Sequence, residues 1–401
     1  MRRWLAFIIL LVGLAVVSLV WLVLWSVPYI GGNAAALDSP PDSTAHWWPA
    51  QLAWFHKPPS DGNLAALVRN FDIYILTHKD EPARDTLRAQ GASGTILQYL
   101  AFTEIMDPGK CLEPPWGNQV AYQQGDFCRL SAEHPDWFLR DAAGNPIAND
   151  LGAGLRSVMM DPGNTGWQAF WLERARRMQE EFGWDGVFLD NVEASRSKLA
   201  RTGQLPAAYP DDASYRAAVL SFLKYVYSGY FHPQGRPVYA NLIEVDEPAV
   251  WYRYLQYLDG AMVEAWAVDW HNGYLGRAAW EEQMNRAEQT QALGKDVILV
   301  SQGDRQDLPR QQFAFASYLL VNNGRASFRY SQANEGYSEA WLYPNYRANL
   351  GTPVTTRQCV FDWVCWREFT QAWVIAVPAN HSAWIIARQD LLASGGMPTS
   401  P

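Results

Sequence analysis

The run Gly183–Trp184–Asp185–Gly186–Val187–Phe188–Leu189–Asp190–Asn191–Val192–Glu193 joins a helix to a strand. A long helical pattern ends at Gly183, a residue suited to the left-handed position that closes a helix. Residues 187–190 then read as a short apolar strand, and a polar turn follows. A carboxylate therefore stands at the end of a buried strand. In a barrel of alternating strands and helices, reacting side chains gather at the C-terminal ends of the strands. Asp190 could otherwise only cap the next turn. The rest of the chain favours the barrel, because it supplies the other parts of one.

Upstream of this run, residues 52–56, 71–76 and 95–100 read as strands, with helices at 64–69 and 84–89. Residues 102–154 form a long insertion rich in Gly, Pro and Asn. A loop of that length in a compact domain is usually functional or covering, here over the C-terminal rim. Residues 157–160 read as an extra short strand ending at Asp161. Thr165 to Gln168 fits a capping box for the helix before Gly183. Downstream, strands are expected at 238–242, 261–266, 297–302 and 326–329. They alternate with helices at 213–228, 251–257, 280–293 and 308–322. Asp211 or Asp212 caps the first of these helices and Asp307 the last. Eight strands alternating with helices predict an α/β fold, a (β/α)8 TIM barrel over residues 48–335. Residues 336–401 read as a small C-terminal β appendage with a hairpin and a third strand.

The chain has 401 residues, 49% of them hydrophobic, which argues for a globular core. Its net charge of −9 argues against a basic nucleic-acid-binding surface, so no nucleic-acid partner is expected. The 20 Trp, 19 Tyr and 16 Phe suit a carbohydrate binder, because aromatic faces stack on sugar C–H faces. They also suit a large core. After Arg2 and Arg3 no charge occurs until Asp38, and residues 4–27 are an apolar run long enough to cross a membrane as a helix. The expectation is an N-terminal transmembrane anchor over residues 1–27 with its N-terminus in the cytoplasm. A cleaved signal peptide is the competitor, with Ala34–Ala35–Ala36 as the cleavage site. Residues 28–47 read as a linker, and both alternatives place the remainder outside the cytoplasm. In that setting Cys111–Cys128 and Cys359–Cys365 read as two local disulfides. Four buried free thiols are the alternative. The cysteines lack zinc spacing, and no metal or cofactor is expected.

Cleaving a glycosidic bond needs two carboxyl groups, one protonated and one ionised. Asp190 and Glu264 end the fourth and sixth strands, on one arc of the mouth. Met262, Val263, Ala265 and Trp266 give Glu264 an apolar setting, which raises a carboxyl pKa and suits a general acid. Asn191 and Glu193 make the setting of Asp190 more polar, which suits the ionised partner. Glu264 could instead be a salt-bridged structural residue. Further polar or aromatic groups near strand ends are candidate substrate contacts: His56, His78, Tyr99, Glu104, Asp161, Asn191, Glu193, Asn241, Trp266, Gln302 and Arg329. The sequence contains no nucleophile elbow and no HExxH motif.

Residues 185–191, read as DGVFLDN, resemble a signature of exported TIM-barrel glycoside-hydrolase-like proteins. These include the endo-α-1,4-polygalactosaminidase type and related hypothetical glycosyl hydrolase families. The segment from His134 to Asp141 with Gly144, the segment Met160 to Asn164 with Trp167, and Val263–Glu264 carry the resemblance further. It closes over Arg367 to Phe369 and Val377 to Asn380, where Pro378 precedes Asn380 in varied order. It spans residues 48–390. It implies a nucleophile or charge-stabilising role for Asp190, an acid/base role for Glu264, and a polysaccharide or oligosaccharide substrate. The expected function is a glycoside hydrolase acting on an extracellular or cell-envelope polysaccharide. A non-catalytic polysaccharide-binding barrel is the alternative. Converging Asp190 and Glu264 carboxyls would favour the enzyme.

Overall fold

In the computed structural model, described residues run from 50 to 388, apart from 201–202, 244, 246, 270–272, 333–335 and 361–362. The predicted anchor and linker lie outside these residues. Among the described residues no helix is long and apolar enough to cross a membrane.

Eight parallel strands form one sheet: β1 (Ala53–Phe55), β2 (Ile73–Leu76), β3 (Thr95–Ala101), then β7 (Gly186–Glu193), β8 (Val238–Ile243), β9 (Gly260–Val263), β10 (Asp296–Gln302) and β11 (Ala326–Ser331). The sheet curls until its edges meet. Leu52 bridges Phe328 in parallel, and the Phe328 N–H donates to the Gln51 carbonyl at 2.8 Å. The fold is thus a nearly closed parallel barrel ringed by helices. The strand count is the predicted one, and residues 157–160 are indeed an extra.

Side chains alternate faces along a strand, and the alternation sorts the apolar residues into two cores. Ala53, Phe55, Ile75, Leu97, Phe188, Tyr239, Met262, Ile298 and Val300 fill the barrel interior. Val187, Leu189, Ala240, Val263 and Phe328 face the helices. Part of the tryptophan surplus serves this outer layer. Trp54, Trp167, Trp171, Trp184, Trp251, Trp266 and Trp280 are fully buried. Several also satisfy their indole N–H there, Trp171 on the Ala101 carbonyl and Trp280 on Ser317.

The helix Thr165–Phe182 leads into the central strand, and Gly183 closes it at φ +73° as its sequence position suggests. Its cap differs from the expectation. Asn164, not Thr165, accepts from the Trp167 N–H at 3.1 Å, because the chain turns helical one residue earlier. Asp211 and Asp307 cap the helices Asp212–Val226 and Leu308–Val321, the former through a capping box with Ser214.

The insertion has more structure than its composition suggested. β4 (Glu104–Asp107), β5 (Ala148–Gly152) and β6 (Leu155–Met159) make a three-stranded antiparallel sheet of order β4-β6-β5. The helix Asp126–Glu133 stands beside it, and Arg174 pairs with the buried Asp126 at 2.9 Å. Cys111–Cys128 and Cys359–Cys365 are both disulfide-bonded. The C-terminal segment is a four-stranded antiparallel sheet: β12 (Gln358–Val360), β13 (Val364–Glu368), β14 (Ala372–Val377) and β15 (Ser382–Ala387). It rests on the helix Leu308–Val321, and the buried Arg367 donates to the carbonyls of Leu319 and Asn322.

Candidate active site

The barrel's own parity assembles the site. If Leu97, Phe188, Tyr239, Met262 and Ile298 point inward, so do the residues two or four positions further along, and Arg329, in register with the inward Val300, shares that face. Tyr99, Asp190, Asn241, Glu264, Gln302 and Arg329 are therefore brought to the interior at the C-terminal mouth.

Asn241 is the hub. Its Nδ2 donates to Asp190 Oδ1 at 3.0 Å and to Glu264 Oε2 at 2.7 Å. Both neighbours present acceptors, which fixes the orientation of the amide. The nearest oxygens of the two carboxyls are thus closer than these two bonds laid end to end. Tyr99 donates its hydroxyl to Asp190 Oδ2. Tyr337 donates to Glu264 Oε1 at 3.1 Å. Each carboxyl is half-buried and receives a donor on each of its oxygens.

The strand carrying Asp190 is locally irregular. The register between β7 and β8 slips between Leu189 and Val192, and Asn191 takes a left-handed φ of +56°. Asn tolerates that region better than most residues. Such a bulge re-aims side chains: Asn191 Nδ2 turns to Glu104 Oε1 at 2.7 Å, away from the carboxyl pair. The predicted sixth strand was residues 261–266, but β9 stops at Val263. Glu264 stands just past its end, and the chain then bends through Ala267 at φ +60°.

Burial pushes the Glu264 pKa up to about 7, and the Asp190 charge beside it adds to the rise; the Asn241 and Tyr337 hydrogen bonds oppose it. The direction is the one expected from sequence, although of the apolar neighbours named there Met262 lines the barrel interior while Val263 and Trp266 face the helices. Burial also raises Glu193 to about 7, countered by Lys198 and Tyr215. Burial, followed by the Lys57 charge, lowers His56.

The other candidate contacts divide. His56 stays at the mouth, its ring 5.3 Å from Tyr99 and 6.2 Å from Tyr337. Glu104 faces the mouth from the insertion sheet. It accepts from Ser157 at 2.7 Å, with Lys198 at 3.8 Å. Gln302 stands behind Tyr337 and donates to its hydroxyl at 3.0 Å. Arg329 is buried over the Trp54 ring at 4.2 Å and donates to the Tyr337 carbonyl. Four others are placed away from the carboxyl pair. His78 bonds Glu81 at 2.8 Å and stacks on Phe182. Asp161 receives Tyr209 and the Gly163 N–H in the turn before a helix. Glu193 is wholly buried against Tyr215 and Lys198. Trp266 is wholly buried and donates to the Ala314 carbonyl. The sequence did not single out Tyr337, Lys198, Ser157 or Tyr215. Tyr337 follows the last barrel strand and no periodicity marks it. Among the described residues, one cluster has metal-ligand composition, Glu281 with Cys359 and Cys365, and both cysteines are spent in a disulfide.

A family model described as hypothetical glycosyl hydrolase family 15 matches residues 115–373, well over half of the chain. That span contains Asp190, Asn241, Glu264 and Tyr337. No curated protein matches. Among solved structures, the chain is similar to the glycoside hydrolase domain of PelA from Pseudomonas aeruginosa: 17% identity, TM-score 0.47, covering 73% of this chain and 99% of that one. It is also similar to the maltogenic α-amylase AmyB from Thermotoga neapolitana: 12% identity, TM-score 0.47, covering 82% and 86%. A third is the α-galactosidase TtGalA from Thermus thermophilus: 14% identity, TM-score 0.45, covering 86% and 68%.

Proposed function

The chain belongs to hypothetical glycosyl hydrolase family 15, and from that premise we propose that it hydrolyses glycosidic bonds of an extracellular or cell-envelope polysaccharide, with Asp190 and Glu264 as the reacting pair. One observation carries the proposal: a single amide nitrogen of Asn241 bonds both carboxyls, holding them together at the barrel mouth. A carboxyl raised to about 7 beside a carboxylate is the division of labour that the reaction requires.

Glu264 gives its proton to the leaving oxygen. Asp190 attacks the anomeric carbon as the bond to that oxygen breaks, forming a glycosyl ester. Glu264, now ionised, takes a proton from water, and the hydroxide portion displaces Asp190 and frees the sugar. Retaining pairs stand about 5–5.5 Å apart and inverting pairs about 6.5–9.5 Å. The span set by the two Asn241 bonds supports retention. Two disulfides suit an oxidising compartment. In this proposal residues 4–27 either anchor the enzyme in the membrane or are removed during export.

The test is release of reducing ends by the full chain from a polysaccharide panel that includes galactosamine polymers, with Asp190→Asn beside it. Release by wild type alone is expected. Equal release by Asp190→Asn would refute the residue assignment. No release from any polymer, with binding kept by both proteins, would favour a carbohydrate-binding barrel instead.

A further inference from the structure

We propose that Tyr337 is a positioning residue for Glu264, delivered from the segment after the last barrel strand to hold one oxygen of the acid while Asn241 holds the other. The proposal rests on Glu264 acting as the acid/base.

The contacts of Tyr337 leave its hydroxyl little choice of direction. Its oxygen accepts from Gln302 Nε2 at 3.0 Å, so its proton is free to point at Glu264 Oε1, 3.1 Å away. The backbone beneath it is tied down: the Tyr337 carbonyl accepts from Arg329 Nη2 at 3.0 Å. The neighbouring Ser338 carbonyl accepts from the Ser60 N–H at 2.8 Å. The ring leans on Phe55 inside the barrel, with centroids 4.9 Å apart. Arg329 is itself held over Trp54, so the chain of support reaches from the first strand to the acid.

Both donors to Glu264 gain strength when its proton leaves, because hydrogen bonds to an ionised acceptor are the stronger ones. They therefore favour the state in which the acid has already protonated the leaving oxygen, and that state is the one catalysis must reach. Against them stand burial and the negative charge of Asp190; Lys198 acts on the same side as the donors. Tyr99, His56 and Glu104 also stand around the pair, and the Arg329 charge lies behind Tyr337. Without Tyr337, Glu264 holds its proton more firmly and is a weaker acid toward the leaving oxygen.

The test follows the carboxyl carbon signal of Glu264 in the full chain labelled with 13C-glutamate, assigned by its absence in Glu264→Gln. Tyr337→Phe keeps the ring against Phe55 and removes only the donor. Its Glu264 midpoint is expected to rise by about one unit. An unmoved or lowered midpoint overturns the proposal. Gln302→Met leaves Tyr337 in place but frees its hydroxyl, and a smaller rise is expected. If Tyr337→Phe does not fold, this variant decides, and an unmoved midpoint again overturns the proposal. The readout needs no turnover. A chain that cleaves no polymer would refute the hydrolase reading separately.

Discussion

Asp190→Asn should lower the pKa of Glu264, the opposite of what losing Tyr337 does. The negative charge of Asp190 disfavours a second negative charge on Glu264, so removing it lets Glu264 ionise at lower pH. The size follows from the geometry. The nearest oxygens are closer than the Asn241 bonds of 3.0 and 2.7 Å laid end to end. At about 5 Å and an effective dielectric of ~20, two unit charges repel by about 3 kcal/mol, roughly two pKa units. Water at the half-buried mouth reduces this, so a fall of one to two units from about 7 is expected. The assay is the same 13C carboxyl titration, which remains available in a variant that has lost turnover. The Asn side chain keeps the size of Asp and can still meet Tyr99 and Asn241, so the fold should survive. An unmoved Glu264 midpoint in a folded Asp190→Asn protein would refute the idea that the two carboxyls share one site.

On a cleaved substrate, proton NMR of the first product should show the anomeric configuration retained; inversion would mean that the carboxyls separate when sugar binds. Asn241→Leu removes two hydrogen bonds to carboxyls, each worth about 1.5–3 kcal/mol. Its kcat should fall at least ~100-fold, and steady-state kinetics check this. Glu193 gives a stability prediction. Its native pKa of about 7 lies above the usual 4.5, so its contribution is complete below pH ~4.5 and is lost as the pH rises through about 7. The permanently neutral Glu193→Gln protein should lose less melting temperature than wild type between pH ~5 and ~7, and calorimetry would show the flatter slope. Replacing Cys111 and Cys128, which lie 17 residues apart, with Ser should cost about 3 kcal/mol in denaturant unfolding.

The barrel was legible because its strands are short apolar runs punctuated by capped helices. Gly183, Asp211 and Asp307 mark helix ends by local chemistry alone, and each does so in the structure. The insertion was not legible in the same way. Glu104, Asp107, Asn149 and Asp150 interrupt the alternation in β4 and β5, so the small sheet announces itself only at the apolar end of β6. Trp266 shows the limit at a strand end. Its number has the parity of Glu264, yet the strand stops at Val263 and the turn at Ala267 sends the indole into the helical layer.

The site divides along the same line. Tyr99, Asp190, Asn241 and Glu264 can be reached from sequence, because one rule, two residues per repeat, carries each from the apolar interior to the mouth. Glu193 fails that rule because the slip between Leu189 and Val192 breaks the count, and its carboxyl ends buried against Tyr215. Tyr337 obeys no repeat. It reaches Glu264 because Arg329 and Ser60 fix the backbone around it, contacts between segments far apart in sequence. Local pattern therefore reaches the two carboxyls proposed to react. The donors that reach those carboxyls come from wherever the barrel brings them, and the Tyr337 hydroxyl that meets Glu264 comes from beyond the eighth strand.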